Sequence, residues 1–377
     1  MKFRRQNLLR KSCLLFINMK KNRILFICKK RSTYGVSYGL LNSCKFLCNA
    51  LEEMGNEAAV VEVIDNNCID REVYLYNPTH VFIEALWVVP SKFEELIPRY
   101  PKVKWFVRLH SNVPFIAHEG MAIDWIVKYF ALGVKFPQFK VAPNAELMCN
   151  DLEAVYGIRT VYAPNIYQPF PPEDDGKGKD KDKDKDKDED KDKFGALHDP
   201  DRDRHTIDIG CFGAIRPLKN QLIQAMAAVT FANKIKRQLT FHINSTRVEQ
   251  HGMPILHNIE ALFATTRHKL QVHEWMPWSE FIKVVRGMDL GLQVSFSETF
   301  DIVAADFVFA DVPIVGSKEI PWMSHLFQAN CTNMDDIVRH LEFAWTGKKF
   351  GLHSANRVGL RNRNDDARKA WKRLLEK

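Results

Sequence analysis

The residues best suited to chemistry lie between Val294 and Pro321, where an acidic side chain separates a predicted strand from a predicted helix. Glu298 follows the apolar run of residues 290–296, and a mainly apolar segment from Ile302 to Ala310 comes next, followed by a second buried strand, VPIVGS. Open parallel sheets bind ligands beyond the carboxyl ends of their strands. The pattern therefore predicts that Glu298 faces a ligand.

Two nearby elements are suited to holding phosphate. The backbone amides of Phe300, Asp301 and Ile302 open the predicted helix, and free amides at a helix start attract phosphate. Earlier in the chain, the loop AIRPLKN places Arg216 and Lys219 between a strand end and a helix start. Two cations beside a helix dipole form a diphosphate clamp, with a solvated basic loop as the alternative.

The segment around Glu298 resembles the donor-site signature of the large retaining GT-B glycosyltransferases, E-G-F-G-L-x-x-x-E-A-x-A-x-G-x-P-V-V. The positions in register are Glu298, Phe300, Ile302, Pro313, Ile314 and Val315. The resemblance implies that Glu298 is held against the hydroxyls of the transferred sugar and Asp306 against the ribose of the nucleotide. Thr299 and Asp301 stand where the family has glycine, and Asp306 stands where it has Glu.

Further elements resemble the same family. The loop with Arg216 and Lys219 resembles its R-P-x-K-N element, which neutralises the leaving nucleoside diphosphate. Gly35 and Gly39, in the loop after the first strand, resemble the glycines that let the backbone approach the donor phosphates. His110 follows a predicted strand, and the resemblance places it near the reacting sugar; a structural histidine at a strand end is an equal alternative.

Three weaker assignments rest on position alone. Trp275 or Met276 lies where the family binds the nucleobase, with core packing at least as good an explanation. His118 and Glu119 lie where the family often has polar groups that face the acceptor.

Composition supports a large cytosolic protein with an anionic partner. The chain has 377 residues, enough for two hydrophobic cores. The net charge is +8. Residues 173–193 hold 8 lysines and 11 acidic residues, a net charge of −3, so the rest of the chain carries +11. That charge suits a nucleoside diphosphate, an anionic membrane surface or a nucleic acid. The eight cysteines include no C-x-x-C pair, and a reducing cytosol is expected.

Five segments follow from these patterns. Residues 1–18 are predicted to be an N-terminal extension, with a weak membrane-surface role as the alternative. Residues 19–170 and 205–350 are predicted to be Rossmann-like domains on the acceptor side and the nucleotide-sugar side. The charged tract 171–204 is predicted to be a disordered insertion, because alternating Lys and Asp cannot bury apolar surface. Residues 351–377 are predicted to be a helical tail.

The predicted fold class is α/β, and the resemblance implies the GT-B type, with two domains facing across a cleft and a final helix returning to the first. The resemblance implies transfer of a hexose from a nucleotide-diphosphate sugar with retention of configuration, without an obligatory metal or other cofactor. The acceptor is left open among glycans, lipid-linked sugars and DNA. A DNA-directed glycosyltransferase and a non-catalytic binding or scaffold protein on a degenerate GT-B fold are the alternatives.

Overall fold

The computed structural model describes residues 21–30, 38–170 and 205–376. The predicted extension 1–18, the predicted insertion 171–204 and Gly35 lie outside these residues. Two parallel sheets with helices between their strands make up the described chain, which confirms the α/β class.

The first sheet has five parallel strands in the order β2-β1-β3-β4-β5. The strands are β1 (Arg23–Lys29), β2 (Glu57–Val63), β3 (His80–Glu84), β4 (Lys104–Leu109) and β5 (Phe139–Pro143). The helices are α1 (Tyr38–Glu53), α2 (Ile69–Tyr76), α3 (Pro90–Arg99), α4 (Val113–Ile116), α5 (Ala122–Lys135) and α6 (Glu146–Tyr156).

Unbroken apolar runs explain why the central strands of this sheet are buried on both faces. In β1, Ile24 to Ile27 are fully buried, and Phe26 lies between Val60 of β2 and Phe82 of β3 in the register of the sheet. Because the strands are parallel, their carboxyl ends share one edge, and the polar residues that follow them meet there.

The second sheet has six parallel strands in the order β11-β10-β9-β6-β7-β8. The strands are β6 (Thr206–Gly210), β7 (Gln238–Asn244), β8 (Lys269–His273), β9 (Leu290–Gln293), β10 (Ile314–Ser317) and β11 (Gln328–Ala329). The helices are α7 (Gln221–Lys234), α8 (Met253–Ala264), α9 (Trp278–Arg286), α10 (Ile302–Phe309), α11 (Met334–Lys348) and α12 (Ser354–Leu375).

Glycine allows α10 to lie close to the second sheet. A Cβ atom on Gly291 of β9 would come within 2.6 Å of the Phe307 ring, and one on Gly210 of β6 within 2.9 Å of it. Both distances are too short for real atoms, so the two glycines set the depth at which α10 packs. The start of this helix is thereby held at the carboxyl edge of the sheet.

The final helix, α12, connects the two domains, as the sequence predicts. Leu360 packs in the core of the second domain, whereas Trp371 packs in the first against the rings of Phe26 and Phe82, with centroids 6.0 and 5.0 Å away. The Trp371 indole N–H also donates to the carbonyl of Pro164, at 2.8 Å. The helix therefore crosses from the second domain back to the first.

None of the helices within the described residues is long and apolar enough to cross a membrane.

Candidate functional site

Two adjoining cavities lie between the carboxyl edges of the two sheets. Each has a volume of about 260 Å³, and both are lined by His110, Arg216, Glu298 and Thr299. The donor-side cavity, as we name the one that reaches into the second domain, is also lined by these further predicted residues: Gly39, Lys219, Phe300, Asp301, Ile302 and Asp306. The acceptor-side cavity extends into the first domain. The predicted catalytic and donor-binding residues that the structure describes therefore all line at least one of the two cavities.

An ion-paired cluster occupies the centre of the donor-side cavity. The Lys219 ammonium lies 2.6 Å from Glu298 Oε1 and 3.2 Å from Asp301 Oδ2, and it donates a longer bond to Gln293 Oε1 at 3.4 Å. All three charged side chains are nearly or fully buried. The predicted phosphate-binding lysine therefore contacts the predicted sugar-binding carboxylate directly.

The electrostatics of this cluster follow from one cation between two carboxylates. Burial would raise the pKa of Glu298, but Lys219 outweighs it and holds that pKa below its ordinary value. Burial and the negative charge of Glu298 instead raise the pKa of Asp301 to about 6. Burial would lower the pKa of Lys219, yet the two carboxylates raise it. Glu298 and Lys219 are therefore both charged at neutral pH.

Asp301 has a structural role at the position where the family has glycine. Its backbone adopts φ +58°, in the left-handed region that favours glycine but that Asp tolerates. From there its Oδ1 accepts a hydrogen bond from the Ala304 amide at 2.9 Å and caps α10. Asp301 Oδ1 thus accepts the hydrogen bond of one amide at the start of α10, and its Oδ2 accepts one from the Lys219 ammonium.

The second departure from the family glycines, Thr299, joins the domains. Its hydroxyl donates to the His110 carbonyl and accepts from the Asn144 amide, both at 3.2 Å. Asn112, in the first domain, donates to the Glu298 carbonyl at 2.8 Å. The loop that carries Glu298 is therefore fixed to the carboxyl edge of the first sheet by three interdomain hydrogen bonds.

His110 is held by partners on both ring nitrogens. Its Nε2 lies 2.5 Å from Glu84 Oε2, and Asn144 Nδ2 lies 3.3 Å from its Nδ1. Burial lowers the pKa of His110 in spite of Glu84. The ring is therefore neutral, with Nε2–H donating to Glu84 and Nδ1 accepting from Asn144. Neither nitrogen is available to take a proton in this arrangement.

Glu84 is a buried member of the site that the sequence did not single out. Its carboxylate also accepts from Arg108 Nη1 at 3.1 Å, and both side chains are completely buried. Burial would raise the pKa of Glu84, but Arg108 and His110 hold it below its ordinary value. Glu84 ends β3 and Arg108 lies opposite it in β4. Glu84 and Arg108 are 24 positions apart in sequence. Only the pairing of β3 with β4 brings the carboxylate and the guanidinium together.

Arg216 contacts residues of both domains. Its guanidinium lies 3.5 Å from the Glu249 carboxylate and 4.6 Å from the centre of the Phe115 ring of the first domain. Arg247 donates to the same Glu249 at 2.6 Å and lies over the Trp275 ring at 5.7 Å. Arg247 is thus a third cation that lines the donor-side cavity.

Asp306 connects the start of α9 with Tyr167, which lies in the segment that follows α6. Its Oδ1 accepts from the Tyr167 hydroxyl at 2.5 Å and from the Trp278 indole at 2.8 Å. Burial raises the pKa of Asp306 to about 7 despite these two donors. Tyr167 is clamped in turn by Asn364 of α12, which bonds both its backbone amide and its carbonyl. The sequence had no signal for Tyr167 or Trp278, because both are distant in the chain.

The remaining predictions fall at the margins of the cavities. A Cβ atom on Gly39 would lie 3.4 Å from Ile302, so the first turns of α1 and α10 converge. Trp275 and Met276 line the donor-side cavity. Glu119 lines the acceptor-side cavity, whereas His118 is exposed and lines neither.

The strand that precedes Glu298 ends earlier than the sequence predicts. The apolar run extends to Phe296, but β9 stops at Gln293. Beyond it, the amide of Val294 donates to the Gln224 side chain at 2.8 Å and the amide of Phe296 to the Leu218 carbonyl at 2.9 Å. These bonds replace sheet pairing and turn the chain towards the cleft.

Comparison with known proteins identifies the fold. No family model matches the sequence, and a search of curated proteins finds no match either. Solved structures match along nearly the whole chain. The apo structure of OtsA has 12% identity and a TM-score of 0.63 over 94% of this chain and 99% of that one.

Two further structures match to a similar extent. Anabaena HepE in complex with UDP and glucose has 13% identity and a TM-score of 0.60, over 94% of this chain and 99% of that one. The catalytic domain of starch synthase IV from Arabidopsis thaliana, bound to ADP and acarbose, has 10% identity and a TM-score of 0.63, over 95% of this chain and 100% of that one. The chain therefore has the GT-B fold, with two Rossmann-like sheets on either side of the cleft that holds Glu298 and Lys219.

Proposed function

We propose that the protein is a glycosyltransferase that transfers a hexose from a nucleoside diphosphate sugar with retention of configuration. One observation carries the proposal most strongly. Glu298, Arg216 and Lys219 come from two separate motifs, yet they line one cavity between the domains, at the start of α10. A carboxylate for sugar hydroxyls and cations for a diphosphate are the two groups that such a donor needs.

The proposed contacts give the donor one orientation in the cavity. Its sugar contacts Glu298, its diphosphate contacts Arg216 and Lys219 at the start of α10, and its ribose contacts Asp306. Trp275, with Arg247 over its ring, lines the cavity and offers an aromatic surface for the base. The structures of similar fold with UDP and glucose, or with ADP, support a donor of this class.

Lys219 would change its ion-pair partner when a donor binds. Without a donor it neutralises Glu298 and Asp301. When a diphosphate binds, Lys219 moves its interaction to the phosphate oxygens, and Glu298 then accepts hydrogen bonds from the sugar hydroxyls. Asp301, with a pKa of about 6, reduces its repulsion of the diphosphate by taking up a proton.

The cations are proposed to carry the leaving-group charge without an obligatory metal. Arg216, Lys219 and Arg247 all line the donor-side cavity and would stabilise the nucleoside diphosphate as the glycosidic bond breaks. His110 serves as a neutral polar group beside the sugar, because both of its ring nitrogens are already hydrogen-bonded. The proposed transfer reaction therefore needs no proton transfer to the His110 imidazole.

Release of nucleoside diphosphate tests the proposal. The purified protein is incubated with UDP-glucose, ADP-glucose and other nucleotide sugars, with water as the acceptor and then with a panel of glycans. We expect one donor to be consumed, and less so by Glu298→Gln. The anomeric configuration of the product, read by proton NMR, tests retention. A protein that binds nucleoside diphosphates but consumes none of the donors would instead be a scaffold on this fold.

A further inference from the structure

A groove in the first domain lies at the edge of the sheet opposite to the candidate site. Its volume is about 750 Å³, and it runs between the first residues of β4 and β5, residues 160–162 and the end of α12. Phe106, Val161 and Leu374 supply apolar walls. The groove is therefore large enough for a ligand and is separate from the interdomain cleft.

The same groove is lined by three cations and by no acidic residue of the described chain. They are Lys104, Lys140 and Arg373, and none of them forms an ion pair within residues 21–30, 38–170 and 205–376. Three exposed lysines elsewhere provide a contrast. Lys128, Lys135 and Lys283 each lie within 4 Å of a carboxylate. Unpaired positive charge around an apolar groove selects a ligand with an anionic group and an apolar part.

The sequence that precedes β1 is also basic. Because the strands are parallel, Arg23, the first residue of β1, lies at the same edge of the sheet as Lys104. Residues 1–20 contain six lysines and arginines, no acidic residue and the apolar run CLLFI. Basic residues next to apolar ones favour contact with an anionic membrane surface.

We propose that this groove binds an anionic phospholipid of a membrane surface, with one acyl chain between Phe106, Val161 and Leu374 and the phosphate near Lys104, Lys140 and Arg373. A nucleic acid would satisfy the cations but would leave the apolar walls without a partner. A lipid satisfies both. The cleft at the opposite edge of the sheet stays accessible while the first domain lies on the membrane.

Vesicle co-sedimentation of the full chain tests the proposal. We expect binding to phosphatidylglycerol vesicles and little binding to phosphatidylcholine vesicles. The variant Lys104→Gln, Lys140→Gln, Arg373→Gln should lower the partition coefficient roughly 100-fold, since each basic residue near an anionic surface contributes about a factor of five. The control variant Lys128→Gln, Lys135→Gln, Lys283→Gln removes the same charge and should bind almost as the unmodified protein does.

Equal losses in the two triple variants would overturn the proposal, because they would show attraction by net charge alone. Melting temperatures of both variants, compared with the unmodified protein, show whether folding is preserved. Calorimetry with lysophosphatidylglycerol and with inorganic phosphate then separates a lipid from a free anion. The groove should bind the lysolipid, and the first triple variant should lose that binding. Equal affinity for inorganic phosphate would assign the groove to a free anion and would also overturn the proposal.

Discussion

Lys219 Nζ lies 2.6 Å from Glu298 Oε1, so the residue assigned to the diphosphate and the residue assigned to the sugar form an ion pair. They are 79 positions apart in the chain, and they meet because the loops that follow β6 and β9 lie side by side at one edge of the second sheet. The pair keeps two buried charges compensated in the absence of a ligand. Under the proposed function, binding of a donor would replace this ion pair with contacts to phosphate and sugar.

Lys219→Ala should destabilise the protein by roughly 3 to 5 kcal/mol, because Glu298 and Asp301 would remain buried together without a cation. Chemical denaturation measures the loss. Arg216→Ala is the matched control, since its partner Glu249 keeps Arg247 and little stability should be lost. Both variants should weaken nucleoside diphosphate binding, each by about 1.5 to 3 kcal/mol. Calorimetry that finds unchanged affinity in both would remove this loop from the site.

Glu298→Gln should keep the fold and nucleoside diphosphate binding but lose most turnover. The amide preserves shape, yet it replaces a charged acceptor with a weaker one and adds a donor that faces sugar hydroxyls. Turnover of the donor that the unmodified protein uses is the measurement, with nucleoside diphosphate affinity as the control. Full turnover in this variant would contradict the assignment of Glu298 to the sugar.

Asp306→Asn should change how stability depends on pH. The pKa of Asp306 is about 7 in the folded protein, above the ordinary 3.8, so the folded state holds a proton that the unfolded chain releases. The stability that this proton contributes is fully present below pH 3.8 and is lost as the pH rises through 7. Asparagine cannot ionise. The melting temperature of the variant, relative to the unmodified protein, should therefore rise between pH 5 and pH 8.

A constant difference in melting temperature across that range would show that Asp306 does not titrate as its burial implies. The same variant tests the ribose contact. Asp306→Asn should weaken nucleoside diphosphate binding more than it lowers turnover at saturating donor. The opposite ranking would assign Asp306 to the connection between domains alone.

Tyr167→Phe should destabilise the protein by about 1.5 to 3 kcal/mol at pH 8, where Asp306 is charged and its hydrogen bond from Tyr167 is charge-assisted. Tyr129→Phe is the control. It removes an equally buried hydroxyl that donates to a neutral carbonyl, that of Val88, and should cost about 0.5 to 1.5 kcal/mol. Urea denaturation compares the two. Equal costs would show that the Asp306 contact contributes no more than a neutral hydrogen bond.

Local patterns in the sequence were sufficient to predict the α/β class, whereas the returning final helix and most of the proposed site residues followed from the resemblance to the GT-B family. Buried strands are visible in the sequence as apolar runs, and Glu298, Arg216 and Lys219 stand where such runs end. Because the strands are parallel, these residues were expected at the carboxyl edge of the sheet. The short β9 was missed, since the bonds that end it come from Gln224 and Leu218, far away in the chain.

The sequence by itself determined which residue types stand at strand ends, because hydrophobic period and turn chemistry are local properties. Only the tertiary structure decided their partners. Glu84 contacts His110 because β3 pairs with β4. Asp306 contacts Tyr167 because α10 packs against the segment that follows α6. Charge compensation and pKa values depend on distances between residues remote in sequence, and those distances exist only once the sheets and domains have packed.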